Sequence, residues 1–121
     1  MSTAKKSILL IDDEPIILVP LFHFLLRKGF DVVSTNSPVA ALSLIRPDKF
    51  DVVITDFNMR PVTGAEIIGR LRESDFSGKI MLISAHRGMY ADTEKNLQID
   101  AFFGKPFDLS AVYEKIREWT E

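Results

Sequence analysis

The sequence contains no cysteine, which removes disulfides, thiolate metal sites and cysteine nucleophiles from consideration and suits a reducing compartment. Charge of one sign is not in excess either. Fifteen basic residues stand against 17 acidic ones, for a net charge of -2, and no basic stripe marks a nucleic-acid footprint. A long hydrophobic run is also missing. The most apolar stretch, "PIILVPLFHFLL" at 15–26, is too short to span a bilayer and is interrupted by Pro20 and His23. At the N-terminus, "MSTAKKSILLIDDEP" turns acidic after four apolar residues, with no small-residue cleavage site behind them. A cytoplasmic protein without membrane insertion is the expectation. No repeat, low-complexity tract or linker divides the chain.

What remains is an ordinary globular composition, 46% hydrophobic and 26% charged over 121 residues. A chain of this length forms one domain, expected over 1–121, and buries roughly two-thirds of its unfolded surface. Short apolar runs recur at 7–11, 31–35, 51–55, 79–84 and 100–104. They are rich in Ile, Val and Phe without period-two alternation, as strands covered on both faces are. Helical spacing fills the gaps, over 14–28, 38–46, 64–74, 87–98 and 108–119. Gly29 reads as a C-terminal stop. Ser37 reads as an N-cap with Pro38 at the first helical position, and Asp108 as another N-cap. Pro20 interrupts the first helix at a cost of about 3 kcal/mol, so a kink, or a regular helix beginning near Pro20, is expected. Trp119 is expected to close the core near the C-terminus.

Five strands alternating with five helices make an α/β fold, a doubly wound parallel sheet with helices on both faces. Right-handed crossovers bring all strand C-terminal ends to one edge, where ligands of such sheets collect. That edge receives Asp12 and Asp13 from the first strand, Asp56 from the third, Ser84 from the fourth and Lys105 from the fifth. Three carboxylates in a partly dry cleft raise one another's pKa unless a cation is supplied. Without histidine or sulfur among them, they best suit Mg²⁺, which shares its shell readily with phosphate. Lysine is a suitable point charge for a phosphoryl oxygen, and an aspartate can itself be the nucleophile. Glu14 is assigned only a favourable interaction with the helix N-terminus.

The elements "LLIDDEP", "VVITDFNM", Gly64 eight residues after Asp56, "ISA" and "GKPF" occur in order. Together they make the sequence resemble the receiver domains of two-component response regulators over essentially its whole length. The resemblance implies a flavodoxin-like strand order of 2-1-3-4-5. It implies that Asp56 accepts a phosphoryl group from a sensor histidine kinase, a phosphotransfer protein or a small phosphodonor. Asp13 would bind Mg²⁺ directly and Asp12 mainly through water, with Asp56 and the backbone carbonyl of Asn58 completing the set; Mn²⁺ is a candidate substitute. Lys105, joined to Pro106 by a cis bond, would pair with the phosphoryl group, and Ser84 would turn its hydroxyl toward it. Phe102 occupies the aromatic switch position. Output would be a rearrangement of the face made by the fourth helix, fifth strand and fifth helix, read by a protein partner, a linked output domain or a second copy. Such a module is not an enzyme in the usual sense, yet catalyses its own phosphorylation and aspartyl-phosphate hydrolysis. No output domain is expected within residues 1–121, so the unit is expected either to act alone by docking to partners or to be the receiver part of a longer protein.

Neighbouring residues add detail. Asn58 and His86 stand two places beyond Asp56 and Ser84, positions that influence acyl-phosphate lifetime in the family; for His86 a solvated loop imidazole stays equally open. His23, in an apolar helix, is assigned a structural role. Tyr90 lies on the polar fourth helix, which forms a partner surface or a solvated face. Arg60 stands where relatives usually carry proline, with Pro61 one place later. It points to solvent, the preferred placement, or leans toward the acidic pocket. A phosphorylation-independent interaction module is the competing function. A flavodoxin is disfavoured because "DDEP" would repel phosphate, and an aspartyl phosphatase because its acid spacing is absent.

Overall fold

A computed structural model of the chain describes residues 5–85 and 98–121. Five strands, β1 (Ser7–Ile11), β2 (Asp31–Thr35), β3 (Val52–Asp56), β4 (Lys79–Ser84) and β5 (Ala101–Gly104), pair in parallel in the order β2-β1-β3-β4-β5. Among the described residues there are four helices: α1 (Pro15–Arg27), α2 (Pro38–Leu44), α3 (Gly64–Glu73) and α4 (Leu109–Thr120). The helix expected over 87–98 falls outside them except at Gln98, as do His86 and Tyr90.

Alternate strand residues feed two cores, because successive side chains of a strand point to opposite faces. On one face, Ile8, Leu10, Val52, Ile54, Met81 and Ile83 meet α1 and α4 through Leu18, Leu21, Leu25, Val112 and Ile116. On the other, Leu9, Ile11, Val53, Ile80 and Leu82 meet α2 and α3 through Ala41, Ile67, Ile68 and Leu71. Trp119 packs half-buried against the first core. Every residue of β3 is buried, as are the last four of β1 and the last five of β4. Full coverage does not extend to β2, none of whose residues is fully buried, with Val33 38% exposed. It is an edge strand, and an apolar run alone does not distinguish edge from centre.

The helix ends follow local chemistry. Ser37 caps α2 by accepting the Ala40 N–H at 3.1 Å, with Pro38 in the first turn. Asp108 caps α4 by accepting the Ser110 N–H at 2.9 Å. Helix α1 ends in a Schellman motif: the Gly29 N–H bonds Leu26 O at 3.1 Å and the Phe30 N–H bonds Leu25 O at 3.3 Å. Gly29 takes φ +96°, a conformation glycine adopts without penalty. The N-cap of α3, Thr63, which accepts the Glu66 N–H at 3.2 Å, was not anticipated from the sequence.

Pro20 does not delay α1. The helix runs from Pro15 to Arg27 with Pro20 inside it. The carbonyl that loses its donor belongs to Ile16, a residue 79% exposed, so water can serve it. His23 is exposed and packs edge-on against Phe22. No described helix is long and apolar enough to cross a membrane.

Glycine at position 64 is required by proximity. A Cβ there would stand 2.3 Å from the Asp56 carbonyl oxygen and 2.7 Å from Phe57 Cα. The Gly64 N–H also bonds Phe57 O at 2.9 Å, so α3 begins directly against the end of β3. Gly64→Ala is expected to lower unfolding free energy by about 2–3 kcal/mol in a urea titration, since backbone on both sides must move.

Candidate functional site

The parallel sheet places the ends of β1, β3, β4 and β5 along one edge, and the residues just past them converge. Carboxylate oxygens of Asp12, Asp13, Glu14 and Asp56 all lie within 4.8 Å of one another. Asp12 and Asp56 are buried, whereas Asp13 and Glu14 are exposed. Lys105 enters from the loop after β5, held by its N–H to Ser84 O at 2.8 Å and by a cis bond to Pro106. Its Nζ lies 2.7 Å from Glu14 Oε1, 3.1 Å from Asp12 Oδ2 and 3.2 Å from Asp56 Oδ2.

Glu14 therefore does more than sit at a helix N-terminus. It makes the shortest contact of Lys105, and it makes no side-chain capping bond to α1. Its place beside Asp13 in "DDEP" is visible in the sequence, but only the fold shows the lysine, 91 residues away, reaching it.

Four carboxylates against one ammonium leave the pocket short of positive charge. Burial is the main reason the Asp12 carboxyl is pushed up to about 6; the Glu14 N–H opposes this, the Asp56 charge adds to it, and Lys105 opposes it. Burial likewise raises Asp56, against the pull of Lys105 and the Asn58 N–H. For Lys105, burial works to lower the pKa. The Glu14 hydrogen bond and the charges of Asp12 and Asp56 outweigh it and hold the ammonium above the ordinary lysine value.

Asp12 divides its two oxygens. Oδ1 accepts the Glu14 N–H at 2.9 Å. Oδ2 is buried and, although close to Lys105, is not aligned for a hydrogen bond. A buried carboxylate oxygen without a donor, in a cluster of oxygen ligands alone, is what a hard divalent cation satisfies. The donor set therefore fits Mg²⁺.

Ser84 is buried at the end of β4, in register with Gly104. Phe102 is half-buried beside Leu82 and packs against the core under α2 and α3. Arg60 is exposed, its bond to Pro61 is cis, and both line a cleft of about 610 Å³ together with Asp13, Asn58 and Met59. Among the described residues Arg60 makes no ion pair, in keeping with the solvent-facing placement. Met59 anchors this loop, being 3% exposed in the second core.

An oxygen-only, cation-fitting cluster with a lysine lies on the carboxyl edge of a 2-1-3-4-5 sheet, the edge where flavodoxin-like α/β proteins bind ligands. Comparison makes this specific. A family profile described as the response regulator receiver domain matches residues 8–117. Transcriptional regulatory protein GlrR of Escherichia coli (strain K12) is 28% identical over 123 residues, which cover 100% of this chain and 28% of that protein. Sporulation initiation phosphotransferase F of Bacillus subtilis (strain 168) is 23% identical over 116 residues, covering 95% of this chain and 94% of that one. Among solved structures, a CheY-like receiver domain protein from Methanospirillum hungatei JF-1 superposes with a TM-score of 0.87 at 22% identity, covering 95% and 93% of the two chains. Response regulator TrrA of Thermotoga maritima, in complex with Mg²⁺-BeF, does so at 0.81 with 27% identity and 94% and 98% coverage. The chain belongs to the response regulator receiver domain family. It spans little more than a quarter of the length of GlrR.

Two outcomes are expected from the charge imbalance. In EDTA, Asp12→Asn should raise the thermal midpoint by about 3–5 °C at pH 7.5, corresponding to about 1 kcal/mol. The sign follows from a folded pKa of about 6 set above the ordinary 3.8. The carboxyl's stability contribution is complete below the unfolded pKa and is lost as pH rises through the folded one, so the difference between variant and wild type should vanish in melts near pH 4. Arg60→Ala should leave Mg²⁺ affinity by isothermal titration calorimetry within about twofold, because exposed charges are strongly screened.

Proposed function

We propose that the chain is the phosphoacceptor of a two-component relay, with Asp56 taking the phosphoryl group. The supporting observation is the placement of Asp56 at the rigid end of β3, 3.2 Å from Lys105 and within the Asp12–Asp13–Glu14 cluster. A carboxylate oxygen of Asp56 attacks the phosphorus of a phosphohistidine or a small acyl phosphate. The new P–O bond forms as the P–N or P–O bond to the donor breaks, its electron pair leaving with the donor. In hydrolysis, water attacks phosphorus and gives up a proton to solvent. The bond to Asp56 then breaks, releasing inorganic phosphate and restoring the carboxylate. The module thus catalyses its own phosphorylation and dephosphorylation.

Asp12, Asp13, Asp56 and the Asn58 carbonyl would hold Mg²⁺, with Mn²⁺ as a substitute. When bound, the ion would offset charge on the carboxylates and phosphoryl oxygens; positioning and charge neutralisation are most of what phosphoryl transfer requires. Lys105 donates to a phosphoryl oxygen. Ser84 turns its hydroxyl toward the same group and Phe102 follows, shifting the balance between two arrangements of the face carrying β5 and α4. The donor is a sensor histidine kinase or phosphotransfer protein. The reader is a protein partner, a second copy or a linked output domain, and residues 1–121 act as one receiver unit.

Intact mass spectrometry after incubation with Mg²⁺ and acetyl phosphate tests this. Wild type should gain the mass of one phosphoryl group and Asp56→Asn none. Absence of the gain in folded, metal-loaded wild type would instead favour a phosphorylation-independent interaction module.

A further inference from the structure

We infer that Glu14 is a positioning residue for Lys105: a displaceable acceptor that holds the ammonium at the pocket mouth and yields it to an incoming phosphoryl group. The inference rests on the proposed role of Asp56. An ammonium carries three N–H donors and no acceptor. Three carboxylate oxygens already surround Lys105 Nζ, at 2.7, 3.1 and 3.2 Å. Its side chain is 9% exposed, so the ammonium is enclosed by these oxygens, and a phosphoryl oxygen reaches it most readily by replacing the acceptor at the mouth.

The three acceptors differ in what release costs them. Asp12 is fully buried and its Oδ2 lacks any hydrogen-bond donor, so losing the ammonium would leave an uncompensated charge. Asp56 is the residue that carries the phosphoryl group, and its own oxygens stay beside Lys105. Glu14 has a side chain 53% exposed, and water replaces the lysine there at small cost. Glu14 is also the acceptor with the shortest contact, so it competes most directly with the phosphoryl oxygen. Because it forms no capping bond to α1, its replacement leaves the helix start intact.

The experiment titrates beryllofluoride, a phosphoryl-group analogue, at saturating Mg²⁺ into wild type, Glu14→Gln and Glu14→Ala. The ¹⁵N signal of the Lys105 ammonium is followed in the metal-free proteins. Glutamine keeps an oxygen acceptor without the charge, whereas alanine keeps neither. Affinity should rise about twofold for Gln and about fivefold for Ala, the scale of one partly exposed charged contact. The Lys105 signal should shift and exchange faster with solvent in the same order. Equal gains in both variants would overturn the inference by reducing Glu14 to a negative field at the mouth. An unchanged affinity or an unmoved Lys105 signal would overturn it too. Failure of wild type to bind beryllofluoride would remove the phosphoacceptor reading and the inference together, which separates that result from the others.

Discussion

One ammonium among four carboxylates sets the terms for the whole carboxyl edge of this sheet. Lys105 contacts Asp12, Glu14 and Asp56, and those residues arrive from β1, α1 and β3. The lysine joins the β1–α1 turn to the end of β3, segments more than 40 residues apart in the chain. The compensation is partial, as the raised pKa of both buried aspartates shows. A pocket left short of positive charge is suited to a divalent ion, which would also offset the charge of an anionic phosphoryl group. The same deficit makes the resting fold less stable than its apolar core would allow, and the burial that produces it is inseparable from the burial that fixes the geometry.

The apolar strands hold this arrangement in place. Val52, Val53 and Ile54 are fully buried, and β3 lies between β1 and β4 in continuous register. Asp56 pairs with Ile83 at the end of that ladder, and the Phe57 N–H reaches Ile83 O at 2.9 Å one step beyond it. Gly64 then seats α3 against the same backbone. The carboxylate is thereby fixed from three directions: by the strand, by its neighbour strand and by a helix start.

Much of this was legible in the sequence because the signals were local or periodic. Continuous apolar runs marked the strands, and Gly29, Ser37 and Asp108 marked helix ends through their own backbone chemistry. The carboxylates and lysine could be gathered once all strands pointed one way. Glu14 was misjudged because its partner lies 91 residues off, and only side-chain reach decides whether Lys105 stops at Asp56 or extends to the mouth. Exposure of β2 escaped for a related reason: "DVVST" and "DVVIT" look alike, and position in the sheet, not composition, separates edge from centre. The alternative of a helix starting near Pro20 fails because α1 already begins at Pro15 and carries Pro20 inside it. The cis Arg60–Pro61 bond had no counterpart in the motif, which places proline one residue earlier.

The ladder that continues past Asp56 has a further consequence for how the molecule moves. Backbone amides at the end of β3 are enclosed by two neighbouring strands and two cores, so they open only with the most stable cooperative unit of the fold. Rearrangement around the carboxylate is confined to side chains and to the outer strand and loops, where β5 is only half-buried. Under the role proposed for Asp56, the phosphoacceptor would sit at the still point of the domain, with rearrangement left to the more exposed edge.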